Sequence, residues 1–421
     1  MMGILLYIDP GTGSMLFTIL IGLIGAGVYA FRMLILKFRF FLSGGKKVVD
    51  DGEHIPFVIF SDNKRYWNVF EPVCREFDRR GVDVVYMTAS PDDPALNSGY
   101  EHVKGEFIGE GNRAFARLNF IKADILLSTT PGLDVYQWKR SRDVKWYVHI
   151  FHAASDVTLY RSFGIDYYDA LLLSGQFQID QIRSLEKLRE LPEKELVVAG
   201  IPYMDEMKAR LDNAEPVEKS GTTVLLAPTW GPEGILSKFG EKLIDELIKT
   251  GYQLIIRPHP QSFSSEKELI ERLMEKYPES DTLQWNRDTD NFDVLRKSDI
   301  MISDFSGVVF DFTLVYDKPV IYTAAKIDTS VYDAWWLGTP TWTETVLPRL
   351  GKELNGDNLL NVGEIINECL ADDIYSEGRE SVRRECWAFP GESVSKVTDY
   401  LIDTMNKLKE NSVTEDKEMT S

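Results

Sequence analysis

The residues of this chain best suited to handling phosphate fall in three short segments. RPHP at 257–260 follows the apolar run YQLII, so a strand delivers its arginine and histidine to a sheet edge. A planar guanidinium beside an imidazole suits a pyrophosphate, and the two prolines stiffen the turn that carries them. A structural use is equally open, with Arg257 paired to a carboxylate and His259 bonded to a loop carbonyl. SDFSGVVFD at 303–311 runs from the strand-like IMIS into the apolar VVFDFTLVY. That places Ser306 and Gly307 at a helix start, where unpaired N–H groups can take phosphate. Plain N-capping by Ser303, Asp304 or Ser306 accounts for the same residues. The third segment, HIFHAASDV, begins at His149. His149 shares a strand face with Phe151 and reads as a core histidine, whereas His152 enters the loop beside Ala153 and Ala154, with room to act as general base on a substrate hydroxyl. A buried histidine bonded to backbone is the alternative for His152.

Such segments need parallel strands ending at a common edge. A first series of short apolar or β-branched runs opens at 56–62 and continues at 82–90, FIGEG, 123–130, 145–152, 170–175 and 195–200, with helix-like or turn segments between. Strands covered on both faces have this composition, and the alternation with helices predicts a Rossmann-like domain. After the polar interval 208–221 a second series runs through 222–230, 252–260, TLQWN, 300–306 and 319–325. Within it, Phe239, Leu243, Ile244, Leu247 and Ile248 recur at helical spacing before Gly251. The expected architecture is α/β and GT-B-like: two Rossmann-like domains, 55–215 and 216–395, facing across a cleft at their strand carboxyl ends. Neither half carries GxGxxG after its first strand, which argues against a dehydrogenase; GEGN at 109–112 lacks the third glycine and enters no obvious helix. The charged tail 406–421 is expected to be disordered.

At 421 residues the chain exceeds one ordinary core, and 44% hydrophobic content excludes a disordered or low-complexity protein. The formal charge of −19 repels phosphate backbones, so no nucleic-acid partner is expected. Three widely spaced cysteines indicate neither a zinc site nor a disulfide framework. Residues 14–31 contain no charged side chain, and Arg32, Lys37, Arg39, Lys46 and Lys47 follow them. This predicts an uncleaved transmembrane anchor within 1–43, single-pass in the cell membrane, with everything downstream cytoplasmic. Between Trp138 and Trp146, the cations Lys139, Arg140, Arg142 and Lys145 form either a solvated loop or a surface that docks on membrane or acceptor. YDAWWLGTPTW at 332–342 suits interior packing better than acceptor binding.

The His152 loop, GIPYMD (200–205), LLAPTWG (225–231), RPHP and SDFSGVVFDF (303–312), in this order, resemble the CDP-glycerol glycerophosphotransferase family over about 55–395. The resemblance implies teichoic-acid-type polyol phosphate synthesis on a membrane-borne, lipid-linked acceptor. It implies phosphoryl transfer, in which an acceptor hydroxyl attacks the β-phosphorus of CDP-glycerol and CMP leaves. Arg257, His259, Ser303 and Ser306 would then hold the donor pyrophosphate, Asp311 would accept from ribose hydroxyls, and His152 would be the base. No clustered carboxylate set suggests a metal, and no cofactor is expected. The sequence departs from the family pattern at Ala153, Gly307 and Gly231. Two other functions remain open: a UDP-sugar-dependent GT-B glycosyltransferase, and a catalytically idle, membrane-tethered binding or assembly protein.

Overall fold

The computed structural model describes residues 54–419 except 162, 220, 289, 324–326 and 372. The expected anchor in 1–43 lies outside them; among the described residues no helix is long and apolar enough to cross a membrane. Two all-parallel sheets form the frame. The first contains β1 (Ile55–Ser61), β2 (Val84–Thr88), β3 (Val103–Phe107), β4 (Ala123–Ser128), β5 (Val144–Ile150), β6 (Ala170–Leu173) and β7 (Glu195–Val198), in the order β3-β2-β1-β4-β5-β6-β7. The second contains β8 (Thr223–Leu226), β9 (Gln253–Ile256), β10 (Leu283–Trp285), β11 (Ile300–Ser303), β12 (Val320–Thr323) and β13 (Gly351–Leu354), in the order β10-β9-β8-β11-β12-β13. Both sheets lie in one compact unit.

Burial on both faces is what the apolar runs require. In β1, Phe57 and Ile59 enter one core cluster while Val58 and Phe60 enter the cluster on the opposite face. In the second sheet Val224 and Leu226 face one cluster and Leu225 the other. Each such side chain, when fully buried, contributes roughly 1.5–3 kcal/mol.

Several local expectations are corrected. GEGN does lead into a helix, Asn112–Leu118, whose N-cap is Gly111 at φ 53°. The apolar stretch after Gly307 is only a short α-turn, Val308–Phe310, continued by a π-helical turn at Asp311–Val315. The tail expected to be disordered is helical as far as Met419, in the helix Ser393–Met419. That helix returns to the first sheet: Val397, Leu401 and Met405 join the cluster that holds Phe57 and Phe77.

The return is sterically tight. A Cβ on Gly175 would sit 2.2 Å from the Glu385 carbonyl oxygen, and one on Gly200, at φ 86°, would sit 2.3 Å from that of Ala388. Only glycine admits this approach at either position. Asp205, in the helix Pro202–Asp212, completes the junction by accepting from Trp387 Nε1 at 2.8 Å and from the Ser393 backbone N–H at 2.9 Å.

Candidate active site

The strand order alone locates the crevice. In the first sheet the winding reverses between β1 and β4, and in the second between β8 and β11. Open α/β sheets bind ligands beyond the carboxyl ends of the strands at such reversals. Arg65 and Tyr66 follow β1, Thr129 follows β4, Ala227 and Pro228 follow β8, and Ser306 and Gly307 follow β11. All of them line one of two adjoining cavities, of about 320 and 440 Å3, that share Tyr66, His152 and Gly307.

The smaller cavity brings together His152, Arg257, His259, Ser306 and Asp311, five of the residues singled out in the sequence. Arg257 is held by the Asn286 side chain and by the Asp288 carbonyl oxygen, the latter at 2.9 Å. It forms no salt bridge among the described residues, so a carboxylate does not absorb its charge. His259 accepts from the Gln261 backbone N–H through Nδ1 at 3.1 Å. Burial, aided by the positive charges of Arg65 and Arg257, pushes its imidazole down to about 4. His152 is also pushed down to about 4, by burial and then by Arg65. Both rings are therefore neutral at pH 7, and each can accept a proton when negative charge enters the cleft.

Asp311 is buried, with its carboxylate 3.3 Å from Tyr203 Oη and 3.4 Å from Asn291 Nδ2. Desolvation lifts it to about 7, although both hydrogen bonds oppose the rise.

Ser303 is a correction. Its hydroxyl is wholly buried and donates to the Ala227 carbonyl oxygen at 2.6 Å, so it ties β11 to the loop after β8 and does not line the cleft. Asp304 has a related task. Its carboxylate accepts from the backbone N–H groups of Thr229 (3.0 Å), Ile235 (3.1 Å) and Ser306 (3.2 Å). A built-in anion thus already uses N–H groups that the helix-start argument offered to phosphate, and Ser306 faces the cleft with its side chain.

His149 is fully buried among Phe151, Tyr160 and Tyr168, with neither ring nitrogen hydrogen-bonded, as a core histidine. The cation cluster is largely neutralised where it stands. Lys139 donates to the Asp134 carbonyl oxygen at 2.9 Å, Arg140 grips Asp169 at 2.8 and 3.0 Å, and Lys145 pairs with Asp124 at 2.9 Å. Of the four, Arg142 alone has no partner among the described residues. In the aromatic segment Trp342 stacks between Phe177 and Phe310, while Tyr332 reaches the larger cavity.

Arg65, Tyr66, Tyr203 and Asn291 escaped the sequence reading. The signal for the first two was position: NKRYW directly follows β1, the strand beside the reversal.

The family resemblance drawn from the motifs is borne out by matches of the chain itself. Residues 165–339 match the family model described as CDP-glycerol:poly(glycerophosphate) glycerophosphotransferase. The teichoic acid glycerol-phosphate primase of Bacillus spizizenii is 28% identical over 137 residues, 29% of this chain and 32% of that protein. The match thus spans about a third of that relative's length. A variant of the wall teichoic acid polymerase TagF, soaked with CDPG, superposes with a TM-score of 0.54 at 13% identity, over 90% of this chain and 98% of that one. UDP-GlcNAc 2-epimerase from Neisseria meningitidis, bound to UDP-GlcNAc, superposes with a TM-score of 0.51 at 14% identity, over 83% and 100% of the two chains. At such identities the likeness is one of fold, and the fold is GT-B-like with two parallel sheets.

Proposed function

We propose that this protein transfers glycerol phosphate from CDP-glycerol to a hydroxyl of a membrane-linked acceptor and releases CMP. The observation that carries the reading is the meeting in one cleft of neutral His152, delivered by the first sheet, with Arg257 and His259, both delivered by the second. The family match over 165–339 supplies the donor class.

In this reaction the acceptor oxygen forms a bond to the β-phosphorus, the bond from that phosphorus to the bridging oxygen breaks, and the electron pair leaves with CMP. The acceptor proton passes to His152. Arg257 and His259 meet the charge that gathers on the pyrophosphate, with Ser306 beside them, and Asp311 faces the ribose hydroxyls. Positioning and charge stabilisation account for most catalysis in phosphoryl transfer, which suits a cleft lined by Arg65 and Arg257 with two neutral imidazoles beside them. Anchorage through 14–31, with the catalytic part cytoplasmic, would keep the cleft near a lipid-borne acceptor.

The test is to incubate the full-length protein with radiolabelled CDP-glycerol and a lipid acceptor. CMP release with label in the lipid is expected. Turnover of a UDP-sugar instead, or donor binding without release, would overturn the proposal. Protease added to intact cells should spare the catalytic part, and its digestion would reverse the assigned orientation.

A further inference from the structure

The cavity of about 440 Å3 shares His152 with the Arg257 lobe but contains none of the donor residues beyond it. We infer that this second lobe is the acceptor subsite, and that Arg161 at its mouth binds a phosphodiester adjacent to the acceptor's reacting hydroxyl. The inference rests on the donor reading above. In an in-line displacement the nucleophile attacks phosphorus opposite the leaving group and the general base lies on the nucleophile's side, so the space beyond the shared histidine, away from the donor residues, belongs to the nucleophile.

The lining has the chemistry of a short polyol site. Tyr66, Thr129 and Tyr160 contribute hydroxyl-bearing side chains, and Phe305 and Tyr332 contribute ring faces. Arg161 supplies charge and is not spent elsewhere. It forms no salt bridge among the described residues, and its guanidinium lies 4.7 Å from the centroid of the Tyr332 ring. The nearby carboxylates are occupied. Asp156, within the lobe, accepts from the Thr158 N–H, Gln181 Nε2 and the Thr343 N–H. In the neighbouring cavity that Arg161 also borders, Glu233 is paired with Lys238, and Asp328 accepts from Ser330.

The platform under Arg161 is built. Asp333 donates its backbone N–H to the Tyr160 carbonyl oxygen at 2.5 Å, and its carboxylate accepts from the Phe163 N–H at 3.1 and 3.3 Å. Phe163 sits at φ 60°, a conformation that costs energy for a non-glycine residue and persists only where surrounding contacts fix it. These bonds tie Tyr160 and Phe163, on either side of Arg161 in the chain, to Asp333 beside Tyr332, so Arg161 and Tyr332 share one hydrogen-bonded platform. In a chain of net charge −19, an anionic acceptor needs such an unspent cation. A guanidinium fork, which can bond two phosphate oxygens at once, fits a phosphodiester better than an uncharged polyol.

The test uses two soluble acceptors with full-length protein and CDP-glycerol: glycerophosphoglycerol, and diglycerol as its uncharged counterpart. Arg161→Gln should raise the KM for glycerophosphoglycerol by about 10–100-fold, the range for losing a charged hydrogen-bonding pair. The KM for CDP-glycerol and the KM for diglycerol should stay unchanged, and Arg161→Lys should fall between. Calorimetry of glycerophosphoglycerol without donor should show the same loss. An Arg161→Gln protein with normal CMP release and an unchanged KM for glycerophosphoglycerol overturns this inference alone. An equal loss toward diglycerol overturns it too, since charge would then not be what is read. Wild-type protein that releases no CMP from CDP-glycerol overturns the donor reading, and the acceptor assignment with it.

Discussion

His152 and Thr129 meet at the floor of the cleft, Nδ1 to Oγ1 at 3.2 Å. When Nδ1 holds the proton and donates to this hydroxyl, the lone pair of Nε2 is free for a substrate. Thr129 follows β4 and His152 follows β5, so neighbouring strands hold the two side chains in register for this bond. His152→Ala should lower turnover by roughly 10²–10⁴ with donor affinity nearly intact, because the base touches the acceptor. Thr129→Val, which keeps the shape but removes the partner of Nδ1, should cost about tenfold in kcat. Single-turnover kinetics with calorimetry separates the two, and normal turnover in His152→Ala would sink the base assignment.

Donor binding should take up a proton. His152 and His259 both lie near 4 in the free protein, held there by burial and by Arg65. A pyrophosphate held by Arg257 and His259 favours the charged form of the His259 ring and raises its value, while His152, turned to the acceptor, stays neutral as a base must. At pH 6 about one proton should enter with CDP-glycerol, and affinity should fall as pH rises through the value of His259 in the bound state. Titration in buffers of different ionisation enthalpy measures the uptake directly. His259→Gln should reduce it, and Arg257→Ala should weaken donor binding by about 1.5–3 kcal/mol. Binding without proton uptake would refute the coupling.

Asp311 gives the fold a pH dependence of definite sign. Its carboxyl is lifted from the ordinary 3.8 to about 7 by burial. The folded protein therefore holds a proton that the unfolded chain has lost, and the stability this contributes, complete below about 4, disappears as pH rises toward 7. Asp311→Asn abolishes the effect. Denaturant melts should show the variant gaining on the wild type as pH rises from 4 to 7, by on the order of 1–4 kcal/mol in all. A difference independent of pH would contradict the assignment.

Much of the frame was legible because parallel strands buried on both faces must be continuous apolar runs, as VLL in β8 and IMI in β11 are. Strand β13 was missed for the complementary reason: GKEL at a sheet edge keeps Glu353 exposed and Lys352 partly so. His152, Arg257 and His259 were legible because rare side chains at strand ends stand out. Arg65 was not, since one arginine in an exposed turn carries no local mark and acquires its role only from the strand order. Ser303 failed because a serine ending a strand looks the same whether its hydroxyl faces a ligand or the Ala227 carbonyl.

Asp304→Ala should damage the site through its scaffold. Removal of the carboxylate strands the N–H groups of Thr229, Ile235 and Ser306, each worth roughly 1–3 kcal/mol if left buried and unpaired. A lowered melting temperature and weaker donor binding are expected together, with Asp304→Asn milder on both. Unchanged donor affinity in a clearly destabilised Asp304→Ala protein would show that the 227–235 loop does not shape the cleft.

The return of the helix Ser393–Met419 to the first sheet makes the second domain an insertion, entered and left by two chain crossings that Asp205 fastens side by side. Two connections fastened together can bend about one axis but resist twisting, so we expect any opening of the cleft to be a hinge rotation and not a free swing. A single protease cut in the 213–222 connection would leave the lobes tied by the second crossing. The two fragments should then elute together under native conditions, and the nicked protein should still close on its donor.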